Sequence, residues 1–493
     1  MTDYDDVDDE ELVPLGQALD RVQKKREKLS DKHTDKRLTD SANAERWVEL
    51  HGERFRWHAG RQCWMVWDGM RWGVDDGAEA LRTTKDVGVS WLQRDAPTSD
   101  PQFMAACIVH AKRSESAGAR RAMLQLAAAE EGMSVATSAW DADPWMLNCA
   151  NGVLDLRDGR LLQHHAPRMM SKLAPTAYDA DAAAPRFARF LEQALPDLGV
   201  RDFVQRLVGY ALTGVVREHV LPVFYGSGGN GKGTLVNTLG AILGDYARAV
   251  PADLLMRKTG GDQHPTERAT LLGLRLAFAS ETEAGRQLAE STVKGLTGGD
   301  PVSARFMRQD FFEFLPTHKL ILSTNHRPQI KGSDAGIWRR VRLVPWETAP
   351  SSPDTTLGEA LAREGPGILR WAVEGCLAWQ REGLGSAGKI DAATAAYRHE
   401  QDVLAAFLTD CTTSTPDAQT PSPELFAAYR AWCEDGGEYA WRQRTFVQAL
   451  EERGLQRLKT GGRMVWRGLG LLADRPGAPK EEKRWGRERA DLD

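Results

Sequence analysis

The chain has 493 residues, 42% hydrophobic and 27% charged, with a formal net charge of −5, which is room for two to four domains with sizeable cores. The balance excludes bulk basicity as a route to nucleic acid, so DNA contact must come from local basic patches; no run of about 18 apolar residues offers a membrane span. The cysteines Cys63, Cys107, Cys149, Cys376, Cys411 and Cys433 form no CxxC pair, which argues against a zinc site or disulfide framework. With an acidic amino terminus that does not read as a signal peptide, a cytoplasmic location in a bacterial or infected host cell is expected.

Residues 1–38 join an acidic block, Asp5–Glu11, to the basic run RVQKKREKLSDKHTDKR, and read as a mobile charged tail. Residues 39–140 read as a Trp-rich α+β domain. Trp47, Phe55, Trp57, Trp64, Trp67 and Trp72 crowd a hairpin region; such density favours a core over a base-stacking platform. Helices are expected over 98–131. Residues 141–216 hold a hairpin turning at Asp158-Gly159, then helices over 184–216 that form a collar. Residues 217–348 contain buried-strand candidates at Val220–Phe224, Leu274–Ala279, Lys319–Thr324 and Val341–Val344, alternating with helical stretches. The fold class is therefore multidomain α/β with a central parallel sheet. A helical extension follows at 349–395. Residues 396–472 carry two or three helices, a compositional break TTSTPDAQTPSP at 412–423, and a glycine-tipped hairpin. That order is winged-helix-like, and it places Arg442 and Arg444 on a helix that would enter a DNA groove. Residues 473–493 read as a disordered tail.

Tyr225–Thr234, YGSGGNGKGT, lies between the first strand candidate and an apolar-periodic helix. Strand, glycine loop and helix are the context of a phosphate-binding loop. Gly226, Gly229, Asn230, Gly231 and Gly233 let backbone N–H groups converge on a phosphate, and Lys232 adds a full charge at a helix N-terminus. Where Ser or Thr usually follows the lysine to hold Mg²⁺, Gly233 stands, and Thr234 is left to supply the hydroxyl. Glu281 ends one buried strand as the acid for metal and water, with Glu283 second. Asn325 ends another, where an amide can orient the attacking water. Arg339 and Arg340 precede a further strand, from which one could stabilise transition-state charge. Between these, Lys294 and the hairpin residues Arg305, Phe306 and Arg308 combine basic and aromatic character suited to a nucleic-acid backbone. A charged edge hairpin is the plainer reading of the same residues.

These residues, in this order, resemble the superfamily 3 helicases, a branch of the AAA+ ATPases, and within them the phage/plasmid primase–helicases that include the poxvirus primase–helicase. The strings NGVLDLRDG, YGSGGNGKGT, LAFASETE, KGLTGGDPVSARF, HKLILSTNHRP and DAGIWRRVRLVPW carry the resemblance across about 148–346. It implies an AAA+ core at 217–348 with ATP and Mg²⁺, and a homo-oligomer, hexameric by family habit, translocating on single-stranded or forked DNA in replication of a phage, plasmid or integrated element. A primase or initiator protein is an implied partner. It makes Lys232 and Thr234 the Walker A residues, Glu281 the Walker B acid, Asn325 the sensor, and Arg339 or Arg340 an arginine finger for the neighbouring subunit. Many relatives carry a primase domain with clustered metal-binding acids. Residues 1–140 show no such constellation, so no primer synthesis is expected. Two other readings are a DNA-assembled ATPase for origin recognition or defence without unwinding, and a P-loop nucleotide kinase, where GKGT also occurs.

Overall fold

The computed structural model describes residues 38–475, apart from 98–99, 259–264, 281–284, 309, 331–334, 351–353, 438–439 and 474. Nearly all of both charged tails, and with them Asp5–Glu11, lie outside the described residues, as do Glu281 and Glu283.

Thr39 accepts a hydrogen bond from the Ala42 N–H and starts the helix Asp40–His51. Strands β1 (Phe55–His58), β2 (Cys63–Trp67) and β3 (Trp72–Val74) form an antiparallel meander, and β4 (Ser134–Val135) joins β1 in parallel. Trp47, Phe55 and Trp72 are fully buried: these aromatic rings fill a core. The helical region expected over 98–131 is the pair Pro101–Ser114 and Ala117–Ala127, the first capped by Asp100.

Strands β5 (Met146–Cys149), β6 (Gly152–Asp155) and β7 (Arg160–Leu162) make an antiparallel sheet around the Asp158-Gly159 turn. Helices Pro185–Ala194 and Leu198–Leu212 follow, and the helix Gly365–Glu382 packs on the second. A Cβ at Gly209 would lie 2.0 Å from the Cys376 nitrogen, and one at Gly375 would lie 2.2 Å from the Gln205 oxygen. The two helices therefore cross with their backbones in contact.

The central sheet has five strands: β8 (Leu221–Tyr225), β9 (Ala247–Pro251), β10 (Leu276–Ser280), β13 (Lys319–Thr324) and β14 (Val341–Pro345), the hairpin strands β11 (Val302–Arg305) and β12 (Phe311–Phe314) lying outside it. Its order is β14-β8-β13-β10-β9, and every neighbouring pair is parallel. Successive side chains enter opposite cores, as a sheet covered on both faces requires. Phe224, Leu276, Phe278, Ile321 and Val344 pack toward the collar helices. Leu221, Val223, Ala277, Leu320, Leu322 and Leu343 pack toward the helices on the other side. The strand β9 has no counterpart among the expected strands; its ARAVP sequence carries too little apolar character to announce itself.

The helical extension does not end at 395. The helix Gly388–Glu400 runs unbroken through the boundary placed between 395 and 396, and the chain breaks at Gln401–Asp402 instead. Beyond it come helix Val403–Cys411, β15 (Thr412–Pro421), helices Ser422–Asp435 and Gln443–Glu452, then β16 (Arg457–Thr460) and β17 (Arg463–Leu471), in a sheet of order β15-β17-β16. The compositional break at 412–423 is thus mostly a ten-residue edge strand. Its side chains are largely exposed, so nothing in its hydropathy marked it as a strand.

Candidate functional site

The chain leaves β8 for the far edge at β9, returns through β10 and β13, and passes β8 to finish at β14. β8 thus borders the point where strand order reverses, and ligands of open parallel sheets sit at the carboxyl ends of strands there. The registers align these ends. Tyr225 of β8 faces Thr324 of β13, and Ser323 faces Ser280 of β10. Gly226 and Asn325, the residues that follow, therefore share one edge of the sheet. Glu281 comes after Ser280 in sequence and lies outside the described residues.

The loop after β8 is held tightly. A Cβ at Gly226 would sit 2.0 Å from the Trp346 oxygen, and Gly231 has φ +91° with Phe190 ring carbons 2.8 Å from where its Cβ would be. Both positions demand glycine, the second doubly so. Asn230 is buried; its Nδ2 donates to the Trp346 carbonyl at 2.5 Å, and its Oδ1 accepts from Lys232 Nζ at 2.8 Å. Lys232 Nζ also donates to the carbonyls of Gly226 (2.7 Å) and Ser227 (3.0 Å). Burial lowers the pKa of this ammonium. The helix Lys232–Leu243 has its first bond from the Leu235 N–H to the Gly231 oxygen, so the N–H groups of Lys232, Gly233 and Thr234 form its open first turn. Convergent donors, a buried cation with neutral partners and a helix N-terminus suit a phosphate. A Cβ at Gly233 would meet nothing within 4 Å.

Beside the loop lies a cavity of about 810 Å³, lined by Gly229, Asn230, Gly231 and Thr234, by Phe190, Gln193 and two arginines of the helix Pro185–Ala194, and by the segment after β14. Arg186 pairs there with Asp354 at 2.9 Å. No residue that the helix Pro185–Ala194 contributes to this wall was among the expected site residues. The signal was present: Arg186, Arg189 and Gln193 recur at i, i+3 and i+7 on one helical face.

Asn325 stands exposed at the apex of a turn in which the Thr324 hydroxyl accepts from the His326 N–H at 3.0 Å. The two arginines before β14 separate in character. Arg340 is buried, its Nη1 donates to the Gly336 carbonyl at 2.8 Å, and its own carbonyl accepts from Leu221 N. Arg339 is exposed. Both stand at the amino end of β14, a five-residue strand away from the phosphate edge of the same chain, or roughly 16 Å.

The hairpin β11–β12 brings Arg305 opposite Phe311, with the guanidinium 4.9 Å from the ring centroid, and stacks Phe306 on Phe312 at 5.0 Å. Arg308 lies exposed near its tip with φ +62°. Lys294 is on the preceding helix, Glu290–Thr297, and is half-buried. Arg442 and Arg444 are exposed at the start of the helix Gln443–Glu452. These six residues thus lie on two stretches far apart in sequence, and none of them lines the cavity beside the glycine loop. Among the described residues no group of three or more His, Cys, Asp or Glu side chains is gathered to hold a metal, and no helix is long and apolar enough to cross a membrane.

Three family models match the chain: "D5 N terminal like" over residues 44–196, a "Family of unknown function" over 224–340, and "Poxvirus D5 protein-like" over 399–455. A protein of Acanthamoeba polyphaga mimivirus named "Putative helicase" is 26% identical over 294 residues, 55% of this chain and 31% of its own length. One of Frog virus 3 with the same description is 26% identical over 275 residues, 52% of this chain and 28% of its own. A "Putative primase" of African swine fever virus is 24% identical over 321 residues, 59% of this chain and 33% of its own. The match thus spans about a third of these relatives. The solved apo C-terminal region of NrS-1 covers 63% of this chain and 88% of that one, with a TM-score of 0.41 and 11% identity.

Proposed function

The chain belongs to the poxvirus D5-like primase–helicase family, and on that premise we propose that it is an ATP-driven DNA helicase acting in replication, with an AAA+ core of the superfamily 3 kind. The observation that carries this is Lys232. It is a buried ammonium whose hydrogen-bond partners among the described residues are neutral oxygens, at the N-terminus of the helix that follows the loop leaving β8. Such a cation is poised to exchange those oxygens for phosphate.

In this reading the loop Gly226–Thr234 cradles the triphosphate of ATP, and the cavity walled by Phe190 takes the base and sugar. Thr234 would hold Mg²⁺, with Glu281 as the acid of its shell, and the ion would neutralise charge on the transferring phosphate. Asn325 orients the attacking water. Arg339 serves the site of a neighbouring subunit in a ring, since a strand length separates it from its own loop. Arg340 is assigned a structural part. The hairpin with Arg305, Phe306 and Arg308, joined by Lys294, tracks single-stranded DNA. The carboxyl-terminal helices and sheet form a winged helix whose Arg442 and Arg444 contact DNA. Among the relatives are proteins named as helicases and as a primase; only the helicase activity is proposed for this chain.

The test is strand displacement on forked DNA with ATP, comparing wild type with Lys232→Ala and Arg339→Ala. Unwinding by wild type and none by either variant is expected. Hydrolysis stimulated by DNA without displacement would replace the helicase with an ATPase that assembles on DNA; phosphate transfer to a nucleoside monophosphate would replace both.

A further inference from the structure

We propose that the loop from Arg327 to Ile330 carries the state of the nucleotide site into the carboxyl-terminal domain, with Arg327 as a positioning residue. This rests on the reading that the glycine loop binds ATP and the carboxyl-terminal domain binds DNA.

Arg327 lies two residues beyond Asn325. Its guanidinium is 5.0 Å from the ring of Tyr225, the residue just before the phosphate loop, and 5.6 Å from the ring of Tyr397. Its Nη2 is 2.9 Å from Glu400 Oε2. The next residues are fastened to the same helix end. The Tyr397 hydroxyl donates to the Pro328 carbonyl, and the Ile330 N–H donates to Gln401 Oε1 at 3.0 Å. Tyr397 is fully buried and meets Trp338, the residue before Arg339, edge-on at 5.2 Å. One helix end therefore touches the segment after Asn325 and the segment before Arg339.

That helix end is also the root of the last domain. Glu400 closes the helix Gly388–Glu400, and Asp402 caps the next helix by accepting from the Ala405 N–H at 3.0 Å. Asp402 also pairs with Arg453, which directly follows the helix bearing Arg444. Only Gln401 intervenes between the residue that grips Arg327 and the residue that grips Arg453. A shift of the Asn325 loop toward a bound γ-phosphate has to strain or release this joint. The Arg327–Glu400 pair is partly exposed and so is weak enough to break reversibly. A passive brace would hold the same contacts but would not make DNA affinity depend on nucleotide.

The experiment measures affinity for a labelled forked oligonucleotide, with and without a non-hydrolysable ATP analogue, using the full chain. Wild type should show a ratio of about fivefold or more between the two states. Glu400→Gln and Gln401→Ala should bring the ratio close to one while leaving analogue affinity and thermal midpoint as in wild type. Arg327→Lys keeps the charge but not the planar guanidinium that lies near both rings, and should fall between. A wild-type ratio of one, or an undiminished ratio in both Glu400→Gln and Gln401→Ala, overturns the coupling. Failure of the ATP reading is separate: Lys232→Ala would then bind and hydrolyse ATP as wild type does.

Discussion

Lys232 shows how a single side chain can be set for its task by burial. Removal from water disfavours its charged form and lowers its pKa from the ordinary 10.5. The lysine therefore deprotonates earlier than a surface lysine on the alkaline side. ATP affinity is predicted to decline with rising pH from an onset below 10.5, measured with a fluorescent ATP analogue; affinity constant up to 10.5 would count against Lys232 as the phosphate cation. The arginine pair separates at the same scale. Arg340→Ala removes a buried partner of the Gly336 carbonyl and should lower stability by about 1–3 kcal/mol in denaturant unfolding. Arg339→Ala should leave the unfolding midpoint in place and slow ATP turnover by about 10³-fold or more, as loss of an arginine finger does. Equal effects of the two on both measurements would dissolve the distinction.

Among the elements, the crossing of Leu198–Leu212 and Gly365–Glu382 has the least room to change. A methyl at Gly375 meets the Gln205 carbonyl oxygen at 2.2 Å, a backbone atom that no rotamer change can move aside. Gly375→Ala is predicted to cost about 1–3 kcal/mol and to lower the thermal midpoint; an unchanged midpoint would mean the helices slide freely. The elements also show what sequence could and could not convey. Four of the five sheet strands were legible because both faces are buried, which leaves apolar runs bounded by polar residues. The strands β9 and β15 were not, since their side chains are mostly exposed and leave no such run, whereas β14, also at a sheet edge, is buried and apolar. Lys319 and Arg275 fall within the strand candidates Lys319–Thr324 and Leu274–Ala279, with no local pattern to mark a role. Both are buried and donate to carbonyls of the collar region, Lys319 to Thr213 and Arg275 to Pro144 and Met146. Long-range carbonyl partners leave no local pattern. The strand, glycine loop and helix around Lys232 were legible because they are contiguous in sequence, whereas the cavity wall at Arg186–Gln193 comes from a helix about forty residues earlier.

For the whole molecule, the proposed function implies that one chain would hold two halves of different sites. The loop with Lys232 and the exposed Arg339 stand at opposite ends of neighbouring strands. If the halves meet between subunits, mixing inactive Lys232→Ala and Arg339→Ala chains restores some sites with both groups intact. Partial recovery of ATPase is predicted on titrating one into the other; no recovery at any ratio would place Arg339 outside the catalytic machinery.

The open space at Gly233 makes the phosphate loop unusually easy to rewrite. Its neighbours leave a Cβ untouched, and its φ is not in the left-handed region that favours glycine. Gly233→Ser would thus place a hydroxyl directly after the lysine with no repacking. Such a variant turns metal dependence into an adjustable property: half-maximal ATPase should be reached at lower Mg²⁺ than in wild type, and an unchanged requirement would show that Thr234 already fills that coordination position.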